Sequence, residues 1–286
     1  MKILLLYFTG TYNTLYITSL VKNRLLSLNH NVDVINLNFK NKIDTKDYDL
    51  IGIGYPIRFH DVPKIVIDIL KNVNINNKKY FIYKSGSSAS SLNDVSSYRL
   101  INTLKKGNNE FIGEYLYMMP SYIMQRTKDE FVKYCMSYNI KLVKYMCDNL
   151  ENKSNYKTNI LKRFYVNVIQ IIKPFLKIKV RKFKVDKSKC NKCRRCIKSC
   201  PTKNVAFGKN GRRIEFSNKC VFCGRCIIDC PKDAINMGKL EKYKVYGKYD
   251  FISINMQENT YDFKNEKDER YLKYQNYFKK IDDLIK

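Results

Sequence analysis

The stretch Cys190–Pro201 reads CNKCRRCIKSCP, and thirty residues later Cys220–Pro231 reads CVFCGRCIIDCP. All four cysteines and the closing proline of the first copy recur at that offset in the second copy. Gly208 also recurs thirty residues later, as Gly238. A repeat that keeps every cysteine in register indicates an internal duplication. We therefore expect two equivalent halves within one small module.

The chain contains ten cysteines, and their role depends on the redox compartment. The apolar run at Met1–Gly10 is too short for the core of a signal sequence and lacks a small-residue cleavage site. No stretch approaches the ~18 to 20 uninterrupted apolar residues of a membrane span. We therefore expect a cytoplasmic protein whose clustered cysteines are metal ligands rather than disulfides. Cys135 and Cys147, which lie outside the repeat in an apolar-periodic helix, are interpreted as core residues.

The cysteine spacing Cys-x2-Cys-x2-Cys-x3-Cys-Pro is typical of proteins that hold two [4Fe–4S] clusters. Structural zinc is the alternative, but zinc sites present cysteine pairs at separated knuckles and need neither the third cysteine nor the closing Cys-Pro. Residues 185–240 resemble the bacterial two-cluster ferredoxins, whose fold is a small α+β domain. That resemblance implies two crossed ligand sets, which are Cys190, Cys193, Cys196 and Cys230 for one cluster and Cys220, Cys223, Cys226 and Cys200 for the other. Arg194 stands where many relatives carry a small residue, and a positive group there can raise the potential of a cluster.

Residues 1–150 alternate short apolar runs with amphipathic segments. The apolar runs predict five strands, at Ile3–Phe8, Val32–Leu37, Leu50–Tyr55, Tyr80–Tyr83 and Tyr115–Met119. The segments between them are long enough for the crossovers that parallel strands require, and they predict helices at Asn13–Ser27, Pro63–Asn72, Asp94–Lys105 and Lys128–Asn149. The expected fold of this half is a doubly wound α/β unit with a parallel five-stranded sheet.

A hydroxyl-rich turn follows the first strand and opens the first predicted helix. Backbone N–H groups at such a helix start, helped by threonine hydroxyls, form a cradle for phosphate. The segment resembles the phosphate loop of the flavodoxins, which binds FMN, and this resemblance implies contacts from Thr9, Gly10, Thr11, Tyr12, Asn13 and Thr14. Tyr12 departs from the family pattern, because it stands where flavodoxins have glycine.

Two further loops follow the third and fourth strands, beside the point where a doubly wound sheet binds its ligand. In flavodoxin-like proteins the corresponding loops flank the flavin ring. By that resemblance Tyr55 and Pro56 are expected on one side, with Tyr55 stacking on the ring, and Ser85, Gly86 and Ser87 on the other. The alternatives are an ordinary strand-ending turn and a flexible surface loop. Met119–Tyr122 is a further possible wall, whereas neither His60 nor His30 is assigned a function.

A basic linker is predicted at 151–184, where nine basic residues and no acidic residue occur between Lys157 and Lys184. Pro174 is expected to interrupt any helix there. The whole chain has a net charge of +28, but this excess is spread along the chain, which disfavours nucleic acid as a partner. Acidic electron carriers are the expected docking partners of the linker, and peripheral contact with an anionic membrane is the alternative. Residues 241–286 have no predicted domain beyond an amphipathic helix at Glu266–Lys286.

The combination resembles the fused flavodoxin–ferredoxin proteins of anaerobic bacteria. This resemblance implies an electron-transfer protein that joins two [4Fe–4S] clusters to FMN, since clusters pass single electrons and FMN accepts one or two. An electron carrier is favoured over a flavin and iron–sulfur oxidoreductase. The alternative of a different class is an iron–sulfur sensor or binding protein, in which a degenerate flavodoxin-like scaffold has lost its flavin.

Overall fold

The computed structural model of the chain describes residues 1–39, 42–122, 126–151, 159–180, 183–208, 213–245, 247–256, 261–263 and 265–286. The chain divides into two compact units. The first comprises Met1–Pro120, Thr127–Asn159 and Tyr249–Lys286, and the second comprises Ser121–Arg126 and Ile160–Lys248. The C-terminal residues, for which the sequence predicts no domain, thus belong to the first unit.

The first unit is built on a sheet of five parallel strands, which confirms the predicted fold. The strands are β1 (Lys2–Tyr7), β2 (Asn31–Asn36), β3 (Leu50–Pro56), β4 (Lys79–Gly86) and β5 (Glu110–Met118). Their order across the sheet is β2-β1-β3-β4-β5, and all four pairings are parallel. This order is that of the flavodoxin-like doubly wound sheet, in which the direction of strand addition reverses between β1 and β3.

Four helices of the first unit follow the predicted crossovers, and they are α1 (Asn13–Ser27), α2 (Lys64–Leu70), α3 (Tyr98–Leu104) and α4 (Asp129–Asp148). Ile17, Val21 and Leu25 recur every four residues along α1 and are buried, as expected for a helix packed on a sheet. Cys135 and Cys147 in α4 are also buried, which confirms their interpretation as core residues. Burial raises the pKa of both thiols, and that of Cys147 reaches about 12.

The described residues between 249 and 286 form an extension that packs on α4. Its helices are α8 (Phe251–Met256), α9 (Glu269–Leu272) and α10 (Gln275–Ile285). The ring of Phe131 in α4 lies 4.4 Å from the ring of Tyr271, and the ring of Tyr134 lies 4.9 Å from that of Phe278, both measured between centroids. The helix predicted at Glu266–Lys286 is therefore present as two shorter helices, and its apolar face completes the core of the first unit.

The first helix of the second unit is α5 (Ile160–Val180), which lies in the predicted linker. It is helical over 21 residues and continues through Pro174, so the prediction that Pro174 interrupts a helix is wrong. A proline ring fixes φ at a helical value, so the helix can pass through it at the cost of one backbone hydrogen bond. Lys157, Arg181 and Lys182 lie outside the described residues. Among the helices that the structure describes, none is both long and apolar enough to span a bilayer.

The cysteine-rich part of the second unit consists of short elements related by the sequence repeat. The helices α6 (Arg195–Lys198) and α7 (Arg225–Ile228) occupy equivalent places thirty residues apart. The strands are β6 (Lys184–Val185), β7 (Val205–Phe207), β8 (Ile214–Phe216) and β9 (Ile235–Asn236), and they pair antiparallel as β6 with β9 and β7 with β8. This is the small α+β domain that the sequence predicts.

Candidate redox sites

Two cavities in the second unit are each lined by four cysteines. The first is lined by Cys190, Cys193, Cys196 and Cys230. The second is lined by Cys200, Cys220, Cys223 and Cys226. Each cavity thus combines the first three cysteines of one repeat with the last cysteine of the other. The structure brings together the two crossed sets that the sequence predicts.

Left-handed backbone places the three close cysteines of each set around their cavity. The residue before α6 is Arg194, at φ 61°, and the residue before α7 is Gly224, at φ 78°. Lys192 and Phe222 also occupy equivalent positions of the two repeats, and both have left-handed backbone, with φ 57° and 54°. Because Arg194 takes a conformation that suits glycine, its departure from the ferredoxin pattern changes the side chain but keeps the path of the backbone.

Backbone amides of both repeats point at the sulfur that comes from the far end of the motif. The N–H of Asn204 donates to Cys200 Sγ at 3.2 Å, and the N–H of Ala234 donates to Cys230 Sγ at 3.2 Å. Hydrogen bonds to ligating sulfur stabilise the thiolate form and tune the potential of an iron–sulfur cluster. The two cavities therefore offer equivalent surroundings to the sulfur atom that each receives from the other repeat.

The surroundings of the cavities oppose ionisation of the cysteines in the absence of a bound metal. Burial raises the pKa of Cys226 well above its ordinary value, and the thiols of Cys223 and Cys220 raise it further. Burial and the neighbouring Cys230 likewise raise the pKa of Cys196. Four thiols packed together ionise readily only when a positive centre binds them, because that centre offsets their mutual repulsion.

The spacing and grouping of the cysteines fit a cluster. In the described part of the chain, no group of three or more His, Cys, Asp or Glu side chains is arranged to hold one metal ion. The cysteine sets line two cavities, and their spacing, with a third close cysteine and a closing Cys-Pro, fits a [4Fe–4S] cluster better than zinc. Cys193 is exposed whereas Cys196 and Cys223 are buried, so the first cavity approaches the surface.

The loop between β1 and α1 joins a left-handed residue to the start of a helix. Tyr12, the residue before α1, has φ 66°, which is a backbone conformation that suits glycine. Its side chain is 39% exposed, whereas Thr9, Thr11 and Thr14 are buried. Hydroxyl groups and the N-terminus of a fifteen-residue helix therefore meet at one loop, an arrangement that can hold an anion.

Hydrogen bonds connect this loop to its neighbours at the carboxyl edge of the sheet. Thr14 Oγ1 lies 2.8 Å from Ser85 Oγ, and the Asn13 amide donates to the Pro120 carbonyl at 2.8 Å. The side-chain oxygen of Asn13 is buried and has no hydrogen-bond partner among the described residues. It is therefore able to accept a hydrogen bond from a ligand hydroxyl. These features fit a phosphate group joined to a polyhydroxyl chain, as in FMN.

The position of Tyr55 does not support the stacking role predicted for it. Its ring is fully buried, and its hydroxyl lies 2.6 Å from Ser97 Oγ. Ser97 in turn accepts from Lys84 Nζ at 3.3 Å, and Lys84 forms a buried ion pair with Glu114 at 2.6 Å. Tyr55 thus belongs to a polar network inside the unit and presents no ring face at the surface. Pro56, the last residue of β3, is buried as well.

The tip of the loop after β3 carries an aromatic side chain that the sequence argument missed. Arg58 and Asp61 exchange two backbone hydrogen bonds, of 2.9 and 3.1 Å, and enclose Phe59 and His60. Both central residues have positive φ, 53° and 57°, which is the requirement of a type I′ turn. No Asn-Gly or Asp-Gly pair marks this turn, so the sequence gives no signal for it. Phe59 is half-buried at the tip.

The loop after β4 is held by a residue from the far end of the chain. Ser85 is buried, Gly86 is partly buried and Ser87 is exposed, and the Gly86 carbonyl accepts from the N–H of Met119 at 2.8 Å. The Ser87 carbonyl accepts a hydrogen bond of 2.6 Å from the hydroxyl of Tyr274, which precedes α10. Tyr274 is not predicted from the sequence, because nothing near residue 274 points to the β4 loop.

The comparison with protein families supports the iron–sulfur assignment of the second unit. Residues 189–235 match the family described as the 4Fe-4S dicluster domain. No curated protein sequence matches the chain.

Solved structures resemble the first unit. They include the flavodoxin of Streptococcus pneumoniae TIGR4, with 17% identity, 53% of this chain and 98% of that chain covered, and a TM-score of 0.39. Flavodoxin 2 of Bacillus cereus has 19% identity, the same coverages and a TM-score of 0.39. A flavoprotein of Lactobacillus acidophilus in complex with FMN has 16% identity, 40% and 92% coverage, and a TM-score of 0.31. These scores are low, so the assignment of the fold rests on the strand order. The chain joins a flavodoxin-like α/β unit to a ferredoxin-type 4Fe-4S domain, a combination suited to electron transfer.

Proposed function

We propose that the protein is an electron carrier that passes electrons between two [4Fe–4S] clusters in the second unit and an FMN held by the first. The observation that carries this proposal is the pair of cavities, each lined by four cysteines from both repeats. Iron–sulfur clusters exchange single electrons whereas FMN accepts one or two, so the two cofactors together link single-electron and paired-electron chemistry. One chain that holds both keeps them at high effective concentration.

The β1–α1 loop supports FMN over a flavin without phosphate. Thr9, Thr11 and Thr14 would bind the phosphate together with N–H groups of the first turn of α1, whose positive dipole end favours a dianion. Tyr12 does not oppose this role, because it adopts the left-handed backbone of the glycine it replaces. Ser85, which is bonded to Thr14, connects this loop to the loop that would flank the ring.

Metal and flavin analysis of the protein prepared without oxygen tests the cofactor content. We expect about eight iron and about eight sulfide ions per chain, since there are two complete ligand sets, and about one FMN. Iron near four, or stoichiometric zinc in protein made with ample iron, would contradict the two-cluster assignment.

The phosphate site is tested by comparing FMN with riboflavin. Thr11→Asp places a carboxylate in the loop, so we expect FMN affinity to fall by about tenfold or more, or about 1.4 kcal/mol, while riboflavin affinity changes little. The control is Ser19→Asp, which adds the same charge to an exposed position of α1 beyond its first turn. If Thr11→Asp lowers the affinities for FMN and riboflavin equally, the phosphate binds elsewhere.

The second candidate function is an iron–sulfur sensor whose α/β unit has lost flavin, and the burial of Tyr55 is the observation that favours it. Flavin absorbance decides between the two functions. Intact clusters together with no FMN uptake at any concentration would support the sensor and would contradict the electron carrier.

The first cavity offers the surface through which a redox partner would exchange electrons. Cys193 is exposed, and the neighbouring Lys192, Arg194 and Arg195 are exposed as well. An acidic electron carrier would be steered to this basic surface, and steering weakens as the Debye length shortens from about 10 Å at 0.1 M salt to about 3 Å at 1 M.

We expect the rate of electron transfer from an acidic ferredoxin to fall as the salt concentration rises. We also expect Lys192→Gln with Arg195→Gln to flatten that dependence, whereas Lys279→Gln with Lys280→Gln in α10 does not.

A further inference from the structure

The helix α5 exposes a continuous apolar face. Between Ile160 and Ile171, six large apolar side chains are 39 to 79% exposed, and they are Ile160, Leu161, Phe164, Tyr165, Val168 and Ile171. Their spacing places them on one half of the helix circumference. Scattered apolar residues on a surface need no explanation, but a contiguous apolar face of this length marks an interaction site.

The opposite side of α5 carries its buried contact with the protein and the basic residues Lys162 and Arg163. Val166 is the one buried side chain among the described side chains of this helix, and Lys162, Arg163 and Gln170 are half-buried. The helix therefore turns its mixed polar side inward and its apolar side outward, the reverse of a helix packed on its own core. An external surface must cover the apolar face.

The charge of the segment selects what that surface is. Nine lysines and arginines and no acidic residue occur from Lys157 to Lys184, and five of the nine lie within α5. A second copy of the helix would bring like charges together, which opposes association. An anionic surface with an apolar interior matches both properties of the helix at once.

We propose that α5 binds an anionic lipid membrane, lying in the plane of the interface with its apolar face in the boundary between headgroups and acyl chains. A basic polar side with Phe, Leu and Ile on the opposite side is the pattern of such interfacial helices. Each basic residue near an anionic surface strengthens binding about fivefold. The helix lies on the bilayer and does not cross it, in agreement with the absence of a membrane-spanning helix among those described. This proposal is independent of the electron-transfer function.

Sedimentation with lipid vesicles tests the proposal on the full-length protein with its cofactors. We expect binding to vesicles of equal parts phosphatidylglycerol and phosphatidylcholine, much weaker binding to pure phosphatidylcholine, and a loss of affinity as salt rises. Leu161→Gln with Phe164→Gln removes two side chains that are 79% and 70% exposed and should weaken binding about tenfold or more. The matched control, Ile252→Gln, removes an apolar side chain that is 77% exposed in α8 and should leave binding unchanged.

A second pair of variants separates the helix from the net charge of the whole chain. Lys173→Gln with Lys177→Gln should weaken binding, whereas Lys279→Gln with Lys280→Gln, which removes the same charge from α10, should not. If both pairs weaken binding equally, diffuse attraction explains it and the proposal is wrong. The proposal is also wrong if no anionic vesicle binds, or if the apolar variants instead abolish a dimer or a complex with an acidic protein.

The absence of tryptophan from the chain allows a direct measurement of insertion. Phe164→Trp places a single tryptophan on the apolar face, and its emission should shift to shorter wavelength on anionic vesicles. Phe39→Trp, at a position that is 58% exposed in the first unit, should show no shift. Equal emission from both variants in the presence of vesicles would overturn the proposed orientation.

Discussion

Tyr274 donates a hydrogen bond of 2.6 Å to the carbonyl of Ser87, which precedes it by 187 residues. Three residues further along, the hydroxyl of Tyr277 donates to the carbonyl of Leu116 in β5 at 2.7 Å. Burial raises the pKa of both tyrosines, so both remain neutral donors at physiological pH. The C-terminal extension thus contacts a loop that is expected to flank the flavin and, separately, a strand of the sheet.

These two tyrosines form a matched pair of variants. Tyr274→Phe and Tyr277→Phe should each lower the free energy of unfolding by about 1 to 2 kcal/mol, because each leaves a carbonyl without its donor. Only Tyr274→Phe should also weaken FMN binding, since of the two tyrosine hydrogen bonds only that of Tyr274 reaches the β4 loop. Urea unfolding and flavin titration of both variants measure the two effects. If FMN affinity falls equally in both, the effect is one of general stability.

The left-handed conformation of Tyr12 makes a second prediction. Tyr12→Gly should raise the free energy of unfolding by about 1 kcal/mol, since glycine adopts positive φ without steric cost. It should also tighten FMN binding, because it removes a side chain from the loop. Asn29, at φ 60° after α1, is the control, because Asn29→Gly relieves a similar backbone conformation away from the loop. If Tyr12→Gly gains stability but binds FMN more weakly, Tyr12 is itself a binding residue.

The crossing of the ligand sets can be tested with the last cysteine of each repeat. Cys230 lies in the second repeat, but Cys230→Ala should remove the cluster held by Cys190, Cys193 and Cys196 of the first repeat. Conversely, Cys200→Ala should remove the cluster of the second repeat. Iron should fall from about eight to about four per chain in each variant. A potentiometric titration identifies the surviving cluster, and the two variants should retain different potentials. Retention of the same cluster by both variants would contradict the crossing.

The buried ion pair of Lys84 and Glu114 makes a prediction about stability. Their side chains are 3% and 12% exposed, so Lys84→Met leaves a nearly buried carboxylate without its cation. We expect a loss of about 3 to 5 kcal/mol in the free energy of unfolding. The double variant Lys84→Met with Glu114→Gln should recover most of that loss, because it removes both charges. Equal instability of the single and double variants would mean that Lys84 acts mainly through its bonds to Asn93 and Ser97.

The sequence predicted the parts of this protein that depend on local spacing. In each copy of the duplicated motif, consecutive cysteines are at most four residues apart, so the cysteine sets follow from local spacing. The exchange of the last cysteine between the two sets is what the ferredoxin resemblance implies. The five strands follow from apolar runs such as Ile3–Phe8, because strands buried on both faces are continuously apolar. The role of the β1–α1 hydroxyls in binding phosphate stays a prediction.

The features that the sequence did not reveal depend on tertiary structure. Every residue of β3 is buried, so no alternation of apolar and polar residues shows which way Tyr55 points. Tyr274 meets Ser87 only after the extension has folded back, and no residue near it in sequence indicates that contact. Pro174 is predicted to interrupt a helix because proline removes a backbone hydrogen bond, and α5 nevertheless continues through it.

Anaerobic spectroelectrochemical titration shows whether one chain carries two clusters and a flavin that exchange electrons, because it counts electrons and identifies each centre by its absorbance. We expect about four electrons per chain, one for each cluster and two for FMN, with about three in Cys230→Ala. Uptake of about two electrons with no flavin signal, or of a single electron by the wild-type protein, would show that the chain does not join two clusters to a flavin.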